Sequence, residues 1–155
     1  MSPLPDLTFV DQHGGRRHLV SLRGRPAVLV HAGRAAAATA ADVGRCLHAR
    51  LIGESSRVDV PVIPVIDLAE VPVFFHGMAR TAVRNRAGGV TIWIDFAGGL
   101  RRTLSLDVAL AHVVVIDAAG AVARVENGPF TPDWLVSIVT FIAGLPVEAD
   151  RAGVR

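Results

Sequence analysis

Side chains that could do chemistry are sparse in this chain of 155 residues, which contains one cysteine and six histidines. The single cysteine, Cys46, excludes an intramolecular disulfide. A thiol becomes a nucleophile when neighbouring cations favour the thiolate, and Arg45 and Arg50 lie close to Cys46 in sequence. The sequence therefore leaves open a thiol enzyme, a peroxidase or thiol transferase that uses Cys46 and a partner's thiol to resolve it.

The position of Cys46 favours a structural role instead. It falls about nine residues past the start of a predicted helix, about 13 Å along the axis from the end whose dipole would lower a thiol pKa. It is adjacent to Leu47 and three residues after Val43, so we expect it to border the buried stripe of that helix. Free cysteines are commonly buried in this way.

Two histidines are candidates for a metal site. His31 ends an apolar strand and His112 begins another, but zinc or copper would want a third or fourth ligand. His76, Asp95 or Asp117 would have to come near by folding alone, because no His-x-His or His-x-x-x-His spacing is present. The sequence favours structural histidines over a metal site and predicts no cofactor.

All 16 basic residues are arginines, yet the net charge is only +2. A nucleic-acid surface would need arginines clustered with aromatic residues, and the six Phe and two Trp lie mostly in apolar runs. The sequence therefore predicts no nucleic-acid partner. Five arginines could form a basic patch around the second helix: Arg80, Arg84, Arg86, Arg101 and Arg102. The favoured interpretation is a solvated surface. A real patch would attract an acidic partner or a phosphate-bearing ligand.

The elements that must position these residues alternate between strand and helix, which predicts an α/β domain. The predicted strands are Leu7–Val10 and Arg17–Val20 in a hairpin, Ala27–His31, Val58–Ile66, Val90–Asp95, and the hairpin His112–Ile116 with Ala121–Glu126. The predicted helices are 35–51, a short one around Met78–Val83 closed by Gly88 and Gly89, and Pro132–Leu145. Residues 96–111 are predicted to be a loop. Pro61 and Pro64 remove two ladder donors and imply an edge or interrupted strand.

The ends of the chain resemble a known family. The segments Leu4-Pro-Asp-Leu-Thr-Phe9, Asp11-Gln-His-Gly14 and Leu22-Arg-Gly-Arg-Pro-Ala-Val-Leu-Val30 resemble the opening of thioredoxin-like proteins of the peroxiredoxin and thiol:disulfide oxidoreductase branch. Val113–Val122 resembles that branch's terminal hairpin. The resemblance implies a thioredoxin-like central mixed sheet flanked by helices, with an N-terminal hairpin extension. The length of 155 residues predicts one domain, over 1–147, and a flexible tail is expected at the C-terminal end, 148–155. In such a fold His31 and His112 could approach each other.

The chain departs from this family where the family's chemistry resides. The redox Cys-x-x-Cys or peroxidatic cysteine would fall within Arg34–Ala41, where the nearest equivalents are Ala37 or Ala38 and Ala40. The family's cis-proline would fall at about Ala111, where alanine makes a cis bond costly, about 3 kcal/mol, so we expect a trans bond. Both losses indicate a scaffold without thiol redox activity.

The sequence therefore predicts a redox-inactive binding or interaction module that uses the vacated active-site face. Its predicted binding residues are Gly33, Arg34, Ala35, Ala36, Ala37, Ala38, Ala111 and His112. A protein partner is expected, with a homodimer possible and no membrane partner, since the apolar run Trp134–Leu145 is too short to span a bilayer. A cytoplasmic location is expected, because the first residues lack the basic and apolar regions of a signal peptide.

Overall fold

The β-branched and aliphatic runs form one mixed sheet in the computed structural model, which describes residues 3–54 and 59–147. The strands are β1 Thr8–Asp11, β2 Arg16–His18, β3 Ala27–Ala32, β4 Val62–Asp67, β5 Trp93–Asp95, β6 His112–Ile116 and β7 Val122–Glu126. Their order is β2-β1-β5-β4-β3-β6-β7, with β3, β4 and β5 parallel and the other neighbours antiparallel. The predicted flexible tail, 148–155, lies outside the described residues.

Within the described residues, four α-helices accompany the sheet: α1 Ala37–Glu54, α2 His76–Ala87, α3 Gly99–Leu104 and α4 Pro132–Ala143. The start of α4 follows the sequence signals, because the hydroxyl of Thr131 accepts a hydrogen bond from the Trp134 N–H at 3.1 Å and a proline occupies the first helical position. The predicted α/β class, with a mixed sheet and an N-terminal hairpin formed by β1 and β2, is confirmed.

The central strand β3 divides the core into two layers because its side chains alternate between the two faces. Val28, Val30 and Ala32 pack with α1 and α4, whose contributions include Leu47 and Ile142. The opposite face begins with Leu29 and is covered by the N-terminal hairpin, α3 and the residues that follow it. Every residue of β3 is buried, as its continuous apolar sequence predicts.

The predicted edge position of the proline-containing strand is wrong. β4 lies inside the sheet between β3 and β5, and Pro64 is within its pairing with β3. The pairing of β4 with β5 begins only at Val65, so Pro64 precedes the stretch that is paired on that side. An interior proline is tolerated here because the neighbouring strand is too short to reach it.

The loop predicted for residues 96–111 is also wrong in part, since it contains α3. The helix begins directly after Gly98, whose φ of +69° is in the left-handed region. The helix bounds differ elsewhere by a few residues: a 3₁₀ turn, Arg34–Ala36, precedes α1, and α1 continues to Glu54. The predicted strand Val90–Asp95 is paired only over its last three residues.

The hairpin between β6 and β7 forms as its sequence predicts. Gly120 has a φ of +88° and donates its N–H to the carbonyl of Asp117 at 3.0 Å. The Asp117 carboxylate accepts from the N–H groups of Ala119 and Ala121. These contacts fix the turn that returns the chain to the sheet edge, with a register irregularity between Val115 and Ile116.

Candidate functional site

The carboxyl end of β3 forms a corner with the 3₁₀ turn Arg34–Ala36, the start of α1 and the segment before β6. Gly33 opens the turn, and its N–H donates to the carbonyl of Val108 at 3.1 Å. A Cβ added at Gly33 would lie 2.7 Å from that same oxygen. Glycine is therefore required here by close approach of the backbone rather than by an unusual φ, and the segment 107–111 closes directly over the turn.

The predicted binding residues are brought together at this corner but differ in access. Arg34, Ala35 and Ala38 are exposed and Ala37 is half-buried. The remaining four are buried and form the floor of the corner: Gly33, Ala36, Ala111 and His112. The peptide bond before Ala111 is trans, as expected.

The binding residues predicted from the sequence did not include two apolar side chains at the corner. Val108 and Leu110 are 37% and 41% exposed, and the carbonyl of Val108 accepts from the N–H of Gly33 at the turn. Both residues fall in the segment predicted to be a loop. Their aliphatic character and their closeness to the expected proline position could have indicated that they belong to the corner. They give the corner an apolar rim.

An ion pair connects the corner to the segment after β4. The guanidinium Nε of Arg34 donates to Glu70 at 2.8 Å, and the two side chains are 70% and 61% exposed. Such an exposed pair contributes little to stability, about 0.5 kcal/mol. The pair neutralises Arg34, which is the only charged residue in the predicted binding set that reaches solvent.

Beneath the corner, a row of polar side chains is buried on the face of the sheet opposite α1. Side chains two residues apart on a strand point to the same face of the sheet. His31 lies two residues from Leu29 and Asp67 two residues from Val65, and both of these apolar residues belong to the second core layer. The row runs across the carboxyl ends of the parallel strands and the start of β6. Its members are His31, Asp67, Asp95 and His112.

The two histidines of the row are directly paired across β3 and β6, and their ring centroids are 6.3 Å apart. The expected approach of His31 and His112 is therefore confirmed. The Nε2 atom of His112 lies 3.0 Å from the carbonyl oxygen and 3.2 Å from the nitrogen of Asp107, so this backbone holds the ring in either tautomer.

His31 differs from its neighbour because it is fully buried and neither of its ring nitrogens has a hydrogen-bond partner among the described residues. Burial is the main cause that lowers the pKa of His31 below its ordinary value, and the carboxylate of Asp67 opposes that shift without reversing it. The ring is therefore neutral at physiological pH.

The two carboxylates of the row are occupied by structural contacts. Asp67 accepts from the Arg101 Nε at 3.1 Å and from the Ala69 N–H at 3.0 Å. Asp95 accepts from three backbone N–H groups at the start of α3, those of Gly98, Gly99 and Leu100. Neither carboxylate is placed to act on a substrate.

The metal alternative lacks a third ligand. Across 3–54 and 59–147, no group of three His, Cys, Asp or Glu side chains is arranged to hold a metal ion. His76 stacks on Phe96 with ring centroids 3.8 Å apart, and Asp117 follows the end of β6 opposite to His112. Asp95 is engaged by the start of α3.

Cys46 is exposed on α1, so the expectation of a buried structural cysteine is wrong. A helix turns about 100° per residue, which places Cys46 just beyond the stripe formed by Val43, Leu47 and Leu51. It lies about nine residues, or about 13 Å, past the first residue of α1. The thiol is therefore accessible but remote from the corner.

The predicted arginine patch is divided by the structure. Arg101 pairs with buried Asp67, and Arg102 donates to the backbone carbonyl of Ala97. Arg84 and Arg86 are exposed and form no ion pair with any residue that the structure describes. Arg80 is half-buried, so the exposed arginines of α2 are Arg84 and Arg86.

No protein-family model and no curated protein matches this chain. Solved structures, in contrast, do match it. The exposed lipoprotein thioredoxin Etrx1 from Streptococcus pneumoniae superposes with a TM-score of 0.65 at 14% identity, over 88% of this chain and 99% of that one. A secreted disulfide oxidoreductase of Mycobacterium tuberculosis gives 0.59 at 17% identity, over 90% and 96%. Yeast Sco1 with copper bound gives 0.63 at 11% identity, over 94% and 96%.

At these identities the likeness shows the fold, and the resemblance to thioredoxin-like proteins is confirmed. The chain shares that fold with thiol:disulfide oxidoreductases while carrying a single cysteine. Within the described part of the chain, no helix is long and apolar enough to cross a bilayer.

Proposed function

We propose that this thioredoxin-like chain is a binding module that works through the corner at Gly33–Ala38 and does not catalyse dithiol exchange. The observation that carries the proposal is the placement of sulfur. The corner is lined by alanines, and the single cysteine of the chain is exposed about 13 Å along α1 from it.

Dithiol chemistry needs two sulfur atoms within reach of each other. A thiolate attacks a disulfide to form a mixed disulfide, and a second thiol must then resolve it. Alanine offers neither group, and the one remaining thiol has no partner in the same chain. A monomer of this protein therefore has no route to complete the exchange.

The surface left at the corner suits an extended segment of a protein partner. The side chains of Ala35 and Ala38 are small and exposed, and Val108 and Leu110 add an apolar rim. Because Arg34 is neutralised by Glu70, the corner carries no net charge of its own. A partner bound here would be recognised by its backbone and small apolar side chains, and a second copy of the chain is one such partner.

The redox part of the proposal is tested by assaying disulfide reduction on insulin and consumption of hydrogen peroxide, with the wild type and Cys46→Ser. Neither activity should rise above the protein-free rate in either protein. A wild-type rate that disappears in Cys46→Ser would overturn the proposal.

The binding part is tested by immobilising the wild type and two variants and comparing the proteins that each of them retains. Ala38→Arg places a long cation in the corner, and Val136→Arg makes the same change on the exposed surface of α4. A protein retained by the wild type and by Val136→Arg, but lost with Ala38→Arg, supports the corner as the binding site. Retention by the wild type and by both variants excludes the corner.

A thiol enzyme is a second candidate, because Cys46 is exposed and Arg50 follows it at a spacing that places both on one side of α1. The rate of iodoacetamide alkylation should be measured from pH 5 to pH 10, with Arg50→Ala as the matched variant. A half-maximal rate below pH 7 that moves upward in Arg50→Ala favours the enzyme. If the alkylation rates of the wild type and of Arg50→Ala both follow the pH profile of an ordinary thiol, the thiol enzyme is excluded.

We also propose a cytoplasmic location, supported by the same exposed thiol. An accessible unpaired cysteine persists in reducing compartments and is readily oxidised elsewhere. Fractionation of cells that express the full chain tests this directly. Recovery with secreted proteins contradicts it.

A further inference from the structure

Four neighbouring apolar side chains project from the protein at the segment after β4. They lie on the 3₁₀ turn Val73–Phe75 and the first turn of α2, and we call them the apolar tip: Val73, Phe74, Phe75 and Met78. Their exposed fractions are 79%, 90%, 49% and 71%. Side chains this exposed have few neighbours in the fold, so the apolar tip is a projection rather than a groove.

The apolar tip is held in place by the residues beside it. His76 donates from Nε2 to the carbonyl of Val71 at 3.0 Å, and its ring stacks on Phe96 with centroids 3.8 Å apart. These contacts anchor the base of the turn to the segment after β5. The rings of Phe74 and Phe75 lie 6.1 Å apart above that base. The projection is therefore part of the ordered structure.

Positive charge flanks the apolar tip. Helix α2 carries Arg80, Arg84 and Arg86 and contains no acidic residue. With about 100° of rotation and 1.5 Å of rise per residue, Arg86 lies about 80° from Met78 on one side of α2 and Arg84 about 120° from it on the other side, about 12 and 9 Å further along the axis. Apolar groups at the centre with exposed cations beside them are typical of helices that lie at a membrane interface.

The size and charge of the apolar tip decide between occupants. A stable protein interface buries about 800 Å² on each partner over about 20–30 residues, far more than four side chains provide. A second copy of the chain would also bring Arg84 and Arg86 against their own counterparts, which like charge disfavours. A lipid surface needs no matching groove, and anionic headgroups complement the arginines.

We propose that the apolar tip docks onto anionic lipid bilayers. The rings of Phe74 and Phe75 enter the boundary between headgroups and acyl chains, while Arg84 and Arg86 contact lipid phosphates. This surface is separate from the corner at Gly33–Ala38, so the proposal does not depend on the binding function proposed above. It departs from the sequence expectation of no membrane partner, which considered only helices that span a bilayer.

The experiment is sedimentation of the full chain with vesicles of phosphatidylcholine alone and of phosphatidylcholine containing phosphatidylglycerol at a 7:3 ratio. Binding to the anionic vesicles should be strong at low ionic strength and should weaken as salt is added. The double variant Phe74→Ser, Phe75→Ser should lower the affinity at least about tenfold, since it removes the inserted apolar area. Arg84→Gln with Arg86→Gln should lower it about 25-fold, at about fivefold for each charge.

Val136→Ser is the matched control, because Val136 is an aliphatic residue on α4 that is 49% exposed, as Phe75 is, and its replacement should leave vesicle binding unchanged. All the substituted side chains reach solvent, so thermal unfolding should match that of the wild type. Failure to bind anionic vesicles overturns the proposal, as does binding that persists in the Phe74→Ser, Phe75→Ser variant. A dimer seen by analytical ultracentrifugation that the same variant disperses would assign the apolar tip to a second copy instead.

Discussion

The ring Nε2 of His31 lies 3.8 Å from the Oδ2 of Asp67, too far for a hydrogen bond, although both side chains are buried. The carboxylate is already satisfied by Arg101 and by the N–H of Ala69. Among the residues that the structure describes, neither ring nitrogen of His31 therefore has a hydrogen-bond partner. A buried polar group in this state lowers the stability of the fold, and this gives it measurable consequences.

Replacement of His31 by leucine should raise the free energy of unfolding by about 1 kcal/mol at pH 7.5, because it removes an unsatisfied polar group and keeps the volume filled. His112→Leu should have the opposite effect and cost about 1–3 kcal/mol, because it leaves the Asp107 backbone without its partner. Urea unfolding of both variants measures the difference. A large loss in His31→Leu would show that the imidazole has a partner the structure does not contain.

Stability should fall as the pH drops below about 6.5. The folded pKa of His31 is lowered, so between that value and the ordinary 6.5 the unfolded chain binds a proton that the folded chain does not. The stability from a neutral His31 is complete above about pH 6.5 and is lost as the pH falls toward the folded pKa. Melting curves from pH 8 to pH 5 should show this slope in the wild type and in His48→Gln, whose site is exposed, and should lose it in His31→Leu.

Asp95→Ala should destabilise the protein by about 2 kcal/mol, since the carboxylate binds three N–H groups at the start of α3. Asp95→Asn should cost less because its amide oxygen retains part of this role. The exposed Asp107 accepts a single N–H, from Ala109, so Asp107→Ala is the matched control and should cost below about 1 kcal/mol. Equal effects of the two alanine variants would contradict the capping role.

Gly33→Ala should cost about 1–3 kcal/mol, because the added Cβ would meet the carbonyl of Val108 at 2.7 Å and force the segment away. Gly44→Ala, in the middle of α1, is the opposite case. Its Cβ would meet only Val30, at an ordinary 3.9 Å, so it should stabilise the helix by about 0.5–1 kcal/mol. Denaturant unfolding of the two variants tests whether the corner is closed as described.

Asp11 should contribute stability that is lost in acid. Burial raises the pKa of this carboxyl, but hydrogen bonds from the N–H groups of Gly15 and His13 and from Arg17 lower it by more. Its contribution is therefore present above the ordinary value of 3.8 and disappears as the pH falls through the lower folded pKa. Asp11→Asn should flatten the loss of stability below about pH 4, and an unchanged acid limb would refute this.

Local signals in the sequence were sufficient for the elements that frame the site. The first hairpin, the last hairpin and the central strand form where the sequence predicts them, although the second strand of the first hairpin is Arg16–His18 rather than Arg17–Val20. The family resemblance implied that His31 and His112 could approach each other, and the structure pairs them directly across β3 and β6.

The parts that the sequence did not predict depend on contacts between distant segments. Pro64 suggests an edge strand, but its tolerance inside the sheet depends on how far β5 extends. Helix α3 begins within a glycine pair that resembles a turn, and the N–H groups at its start are bound from the preceding strand by Asp95. The unpartnered state of His31 depends on where Arg101 directs its side chain, which local patterns do not encode.

The outer strand β2 has consequences for how the protein behaves at high concentration. It is only three residues long, and Arg16, Arg17 and His18 are all exposed along it. Short, cationic edge strands are poor templates for edge-to-edge polymerisation, because an incoming copy would align the same positive charges. The protein should therefore resist fibril growth from this side of the sheet even in crowded solutions.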